Sequence, residues 1–235
     1  MRLLLLSDIH ANPWALEAIE RQVGRVDGVL FAGDAVNYGP EPGAVLDWLL
    51  ERRAVGVRGN HDQAVAFGTD PQATPAKAAL ARKLANWARE QLSSGQVAYL
   101  RSLPLHLIWE ALGLRVELVH ATPHDPLYDY RLRPETDETL LAELCAGSKA
   151  PLLLVGHTHL PLLRQAGKLR VVNPGSAGQP LDGDPRAAYA LLEGEALQLR
   201  RVEYDRTPLF RALQRLPLTP VEQEALYRIY WQAQL

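Results

Sequence analysis

Cysteine is almost missing from this chain. Cys145 is the only one in 235 residues, so no disulfide can close within it, and a reducing cytoplasm is the expected location. Its neighbours, LLAELCAGS, predict a helix face on which Cys145 is a small buried hydrophobe. An excess of either charge is also lacking. Lys and Arg number 25 against 27 Asp and Glu, and the net charge of −2 gives no electrostatic reason to expect bulk nucleic acid as a partner. No apolar run approaches membrane-spanning length, so no membrane partner is expected. The opening MRLLLL passes directly into Ser7-Asp8 and is too short for a signal-peptide apolar region. Repeats, low-complexity segments and a linker-like shift in composition are absent. The length accommodates one large core, and the expectation is a single domain over 1–235.

What is present is a repeated junction. Five short apolar runs end directly in residues that bind metals: LLLL-Ser7-Asp8-Ile9-His10, VLFA-Gly33-Asp34, VGVR-Gly59-Asn60-His61-Asp62, VELV-His120 and LLLV-Gly156-His157-Thr158-His159. Runs of Leu and Val are how buried strands of an α/β sheet read. In open α/β sheets the ligand crevice lies beyond the carboxyl ends of the strands. Five strand ends delivering Asp, Asn and His to that edge describe one site, with the composition of a metal centre.

The surrounding pattern predicts strand 2–6, a helix at 13–24 capped by Asn12 with Pro13 in its first turn, strand 28–32, a helix at 43–52 and strand 54–58. Residues 75–101 have helical periodicity, broken near Ser93-Ser94-Gly95, and Trp48 and Trp87 fall on core faces. Arg82, Lys83 and Arg89 read as a solvated helix face. From 105 onward strands dominate, at 105–111, 114–119, 152–155, 161–166, 169–173, 187–193 and 196–204. A helix at 134–146 interrupts them, and helices at 207–215 and 219–233 close the chain. Parallel βαβ units followed by antiparallel strands predict two packed sheets flanked by helices. Residues 62–105 are expected to form a helical cap or rim, and 205–235 a pair of C-terminal helices.

Asp8 and His10 are two residues apart, as are His157 and His159. In extended chain such pairs share a face, so each can address one metal cluster. Asn60 and His61 are adjacent and diverge. Asp8, His10, Asp34, Asn60, His120, His157 and His159 make seven candidate ligands, too many for a catalytic zinc with three protein ligands and a water. They suit two metals sharing a carboxylate. Oxygen and imidazole donors without cysteine favour Mn, Fe or Co, with Zn compatible.

The ordered set Asp8-x-His10, Gly33-Asp34, Gly59-Asn60-His61-Asp62, His120 and Gly156-His157-x-His159 resembles the calcineurin-like metallophosphoesterase superfamily, from residue 6 to about 160. Tyr38-Gly39-Pro40, Asp125-Pro126-Leu127 and the segment from Asn173 to Pro180 resemble its small bacterial phosphodiesterase branch. The resemblance implies an α/β fold in four layers, an α/β/β/α sandwich of two mixed sheets flanked by helices. It implies two divalent ions, Mn²⁺ first, with Fe, Co, Ni or Zn as alternatives. By position, Asp8, His10, Asp34 and His159 would hold one ion, and Asp34, Asn60, His120 and His157 the other, with Asp34 bridging. His61 would be unligated, contacting the phosphate or protonating the leaving group, and Asp62 would orient it. The implied activity is hydrolysis of a small phosphoester by attack of metal-bound hydroxide.

Departures from the family pattern narrow the substrate. Protein phosphatases and dinucleoside tetraphosphatases carry Arg soon after the Gly-Asp motif, whereas here the segment reads Asp34-Ala35-Val36-Asn37-Tyr38. Without a bidentate clamp for a dianion, small phosphodiesters are favoured over monoesters. A phosphomonoesterase or dinucleoside polyphosphate hydrolase on the same centre is the alternative. A non-catalytic scaffold, as in the retromer subunit that resembles this family, is disfavoured by the presence of His61. Asn12, Asn37, Tyr38 and His124 are further candidates for substrate contact or for support of the ligands. His106 lies outside every motif and reads as a structural strand residue. A homo-oligomer is compatible with the sequence.

Overall fold

The computed structural model describes residues 1–111 and 113–234; Leu235, the last residue of the expected C-terminal segment, lies outside them. In chain order the elements are β1 (Arg2–Leu6), α1 (Pro13–Val23), β2 (Gly28–Phe31), α2 (Pro42–Glu51), β3 (Val55–Gly56), α3 (Asn60–Phe67), α4 (Ala78–Gln91) and α5 (Ser94–Ser102). They continue with β4 (His106–Ala111), β5 (Leu114–Val119), α6 (Glu138–Leu144), β6 (Leu152–Leu154), β7 (Leu162–Ala166), β8 (Leu169–Asn173), β9 (Ala187–Glu193), β10 (Ala196–Val202), α7 (Thr207–Leu213) and α8 (Pro220–Gln232).

Two five-stranded mixed sheets result, ordered β10-β9-β1-β2-β3 and β4-β5-β6-β8-β7. In the first, β1, β2 and β3 run parallel and β9 returns antiparallel beside β1. In the second, β5, β6 and β8 run parallel, edged by antiparallel β4 and β7. The alternation of side chains along β1 distributes its leucines between two cores. Leu3 and Leu5 meet Val116, Leu118, Leu152 and Leu154 between the sheets. Leu4 and Leu6 face the helices on the outer side. Val119, Leu153 and Val171 of the second sheet pack with Leu141 and Leu144 of α6. The expected four layers are therefore present. Among the described residues, no helix is long and apolar enough to cross a membrane.

Two expectations are revised. The apolar run at 54–58 yields only two strand residues, and the chain turns into α3 directly after Gly59. The segment 62–105 packs into the main core and also brings Lys77 to the cleft wall. Ala64, Val65, Ala66, Ala85, Ala88 and Leu100 are buried in the core against the first sheet, with Trp48 and partly buried Trp87. The charged side chains of α4 are tied down as well: Arg82 pairs with Asp70, Lys83 with Glu222, and Arg89 donates to the carbonyl of Val65. His106 stands on edge strand β4 and pairs with buried Glu117 at 2.7 Å, a structural contact far from the motifs.

Candidate metal centre

All five motif loops leave the carboxyl ends of parallel strands: Asp8 and His10 after β1, Asp34 after β2, Asn60 and His61 after β3, His120 after β5, His157 and His159 after β6. Extended chain is not what makes the i, i+2 pairs converge. Asp8, His10, His157 and His159 have φ of 52°, 47°, 68° and 60°, and Ala11, Asp34, Asn37 and Tyr38 are also left-handed. This conformation costs a non-glycine residue about 1–2 kcal/mol, and its concentration here is the kind of local strain found where side chains must be aimed. Close backbone approach also requires glycine at Gly59, where an added Cβ would collide with the Asp34 carboxylate.

The seven candidate ligands are all buried, and their ligating atoms face one another. His10 Nδ1 is hydrogen-bonded to the carbonyl of Val36 at 3.2 Å and His159 Nδ1 to that of Gln179 at 2.6 Å. Carbonyls only accept, so both Nδ1 atoms carry the proton and both Nε2 atoms are lone pairs, 3.0 Å apart. His120 Nδ1 likewise donates to the carbonyl of Ala32 at 2.8 Å. Its Nε2 then faces Asn60 Oδ1 at 3.0 Å and Asp34 Oδ2 at 3.2 Å. The Asn60 amide nitrogen is held by the carbonyl of Pro71, which turns Oδ1 inward, 3.0 Å from His157 Nδ1. Asp34 lies between the two groups, its Oδ2 also 3.9 Å from His10 Nε2. Asp8 adjoins His159, 3.5 Å away, and accepts from the backbone N–H of His157. The bare Nε2 atoms of His10 and His159 repel unless a cation sits between them, and anchoring the far nitrogen on a carbonyl, as for His10, His120 and His159, is how proteins orient metal-binding histidines. The donor set fits divalent metal.

The electrostatics agree. Burial pushes the Asp8 carboxyl up to about 7, with Asp34 adding to the rise. Burial also acts on Asp34, but His120, His61 and His10 outweigh it and hold that carboxyl well below its ordinary range. His120 is pulled up to about 9, because Asp34 and Asp8 overcome its burial. Burial drives His10 down to about 3 and His61 to about 4, and depresses His157 and His159 strongly.

A sequence model of the calcineurin-like phosphoesterase superfamily domain matches residues 1–196. The chain belongs to this superfamily. Among its relatives, protein MJ0912 of Methanocaldococcus jannaschii is 28% identical over 221 residues, 86% of this chain and 87% of its own. The phosphodiesterase YfcE of Escherichia coli K12 is 26% identical over 211 residues, 85% of this chain and 91% of its own. The crystal structure of a metallophosphoesterase from Sphaerobacter thermophilus is 31% identical, with a TM-score of 0.79, covering 97% of this chain and 99% of that one. Superfamily membership makes the chain a metallophosphoesterase-type hydrolase and implies divalent metal ions.

The remaining candidates divide. His61 lies beside the clustered ligands; its backbone N–H donates to Asp34 Oδ1 at 2.8 Å, and its ring packs against those of His10 and Tyr38. The expected contact between Asp62 and His61 is not made. The Asp62 carboxylate instead accepts from the backbone N–H groups of Asp34, Val36 and Gly59, tying the loops after β2 and β3 together. Asn37 holds His61, its Nδ2 standing 2.7 Å from His61 Nδ1. Asn12 caps α1 through Ala15 N–H and donates to the carbonyl of Gly178 and the hydroxyl of Tyr204, so it fixes the loop after β1. His124 is exposed and is not brought to the cleft.

Above the clustered ligands the cleft wall includes Tyr38, Lys77, Tyr130, Arg133, Thr158 and Gln179. Tyr130 stacks on His157 with ring centroids 3.8 Å apart. Lys77 and Tyr130 lie outside every motif, and Gln179, inside the Asn173–Pro180 segment, carries no charge or imidazole that would single it out. Wider grooves flank α8, of about 880 and about 1020 Å³, but their linings hold no histidine and only one carboxylate, Glu224.

Proposed function

We propose that this chain is a two-metal phosphoesterase that hydrolyses small phosphodiesters. One observation carries the metal reading: His10 and His159, each anchored by Nδ1 on a main-chain carbonyl, turn bare Nε2 atoms toward one another, while His120, anchored the same way, points Nε2 at Asp34 and Asn60. Asp8, His10, Asp34 and His159 would hold one ion and Asp34, Asn60, His120 and His157 the other, with Mn²⁺ as the first choice. When bound, two such ions supply an activated water and offset charge on the attacking and leaving oxygens. The chain's own contribution is positional. Asn37 Nδ2 faces His61 Nδ1, and the amide orientation is set by Asn37 Oδ1 accepting from Tyr38 N–H and Nδ2 reaching the carbonyl of Ala81. His61 Nδ1 is therefore the acceptor and its proton sits on Nε2. A neutral imidazole in this tautomer suits a hydrogen-bond donor to a phosphoryl oxygen better than a proton donor to the leaving group.

The preference for diesters rests on the loop after Asp34, where Asn37 and buried Tyr38 stand in the neighbourhood that holds an Arg in phosphatase-like sequences. The relation to phosphodiesterase YfcE supports it. The second reading, a monoesterase or dinucleoside polyphosphate hydrolase, draws support from Arg133 in the cleft wall. Parallel assays of bis-nitrophenyl phosphate and nitrophenyl phosphate with Mn²⁺-loaded protein decide between them. The expected result is a higher kcat/KM for the diester. A clear monoester preference replaces the first reading by the second.

A further inference from the structure

Lys77 is 9% exposed, yet neither a carboxylate nor a hydrogen-bond acceptor meets its ammonium among the described residues. The other cations of this region are matched: Arg82 sits 3.0 Å from Asp70 and Lys83 2.6 Å from Glu222. Lys77 is also placed at the N-cap of the 14-residue helix α4, with no acidic residue in the first turn. A cation there adds to the positive end of the helix dipole instead of offsetting it. Burial, lack of a counter-charge and the dipole all disfavour this ammonium in the folded protein, and burial holds its pKa down to about 8. Its Nζ lies 5.8 Å from the centre of the Tyr38 ring, in the cleft wall it shares with His61, Asp34 and His159. In the same cleft the fully buried side-chain amide of Gln179 has no hydrogen-bond partner at either atom. A cation and an amide left open beside a cluster of candidate metal ligands are complementary to an anion with several oxygens.

We infer that Lys77 is the anchor for the phosphoryl group of substrate and product, the cationic contact missing from the loop after Asp34. This rests on the phosphoester-hydrolase reading and adds a residue to it. Lys77 binds as a point charge without the planar fork of Arg, so it holds a monoanionic diester and its monoester product without selecting strongly for a dianion. Because the same contact exists before and during the reaction, its removal acts on KM and leaves kcat nearly unchanged.

The test uses metal-loaded full-length chain, with equilibrium dialysis against labelled inorganic phosphate and steady-state kinetics on bis-nitrophenyl phosphate. Lys77→Met is expected to weaken phosphate binding and raise KM by about tenfold or more, the range for a hydrogen bond to a charged group. Lys77→Arg recovers most of that loss. Arg82→Met, which removes a matched and exposed charge from the same helix, leaves phosphate binding unchanged. Phosphate binding by Lys77→Met equal to that of the parent chain overturns the inference. Failure of the parent chain to hydrolyse any ester would remove the functional reading instead, while the dialysis result still decides whether Lys77 holds phosphate.

Discussion

Asn37 places its side-chain nitrogen 2.7 Å from Nδ1 of His61, and this one contact fixes which ring nitrogen faces the cleft with a proton. With the proton on Nε2, His61 acts by donating a hydrogen bond. Its replacement by Ala is expected to leave metal content unchanged and to lower kcat by about 10²–10³, the range for losing one oxyanion donor. The loss should be similar for nitrophenyl and alkyl leaving groups. A much smaller loss with nitrophenolate would instead assign His61 to protonation of the leaving group.

Asp34 has the opposite role. Its carboxylate stands 3.2 Å from His120 and 3.9 Å from His10, between the two groups of acceptors. Asp34→Asn is therefore expected to lower metal content and activity together. Elemental analysis of the reconstituted parent chain should show two ions per chain, with activity lost to chelator and restored best by Mn²⁺. One tightly held zinc and no second ion would reject the two-metal assignment.

Metal affinity should depend on pH with a definite sign. In the metal-free protein Asp8 titrates near 7 and His120 near 9. Ligands bind only when deprotonated, so each bound proton must leave first. Apparent affinity is expected to rise about tenfold per pH unit from 7 to 9, more steeply below 7, and to level off above 9. Proton release on metal addition, measured in weakly buffered solution, checks this. An affinity that is flat between pH 6 and 9 would contradict the placement of His120 among the ligands.

Asp62 should behave as a structural residue. Its carboxylate accepts from three buried backbone N–H groups at 2.8–3.2 Å, and leaving a buried donor unpaired costs about 1–3 kcal/mol. Asp62→Ala is expected to lower Tm by about 5–10 °C and to reduce metal content through the displaced loops. A stable variant with full metal and impaired turnover would restore a direct catalytic role to Asp62.

The sheet and the five motif loops were legible because buried parallel strands read as bare apolar runs, and each run stops at a charged or imidazole residue. Both facts survive without knowledge of tertiary contacts. Helix α3 was hidden because its cap is Gly59, which carries no side-chain oxygen to mark a start, and because Val57 continues the apolar pattern beyond the two residues that pair. The convergence of Asp8 with His10 was expected for the wrong reason, since extended and left-handed chain both bring i and i+2 together. Lys77 was out of reach for a different one. Its significance lies in having no partner, and a missing contact has no signature in sequence.

The hydroxyl of Tyr230, in the last helix, reaches the carbonyl of His10 at 3.5 Å, and β9 pairs with β1 from far along the chain. The loop after the first strand is thus held in part by elements from far along the chain. Loosening α8 or the β1–β9 pairing would therefore shift Asp8 and His10, although neither α8 nor β9 carries a candidate ligand.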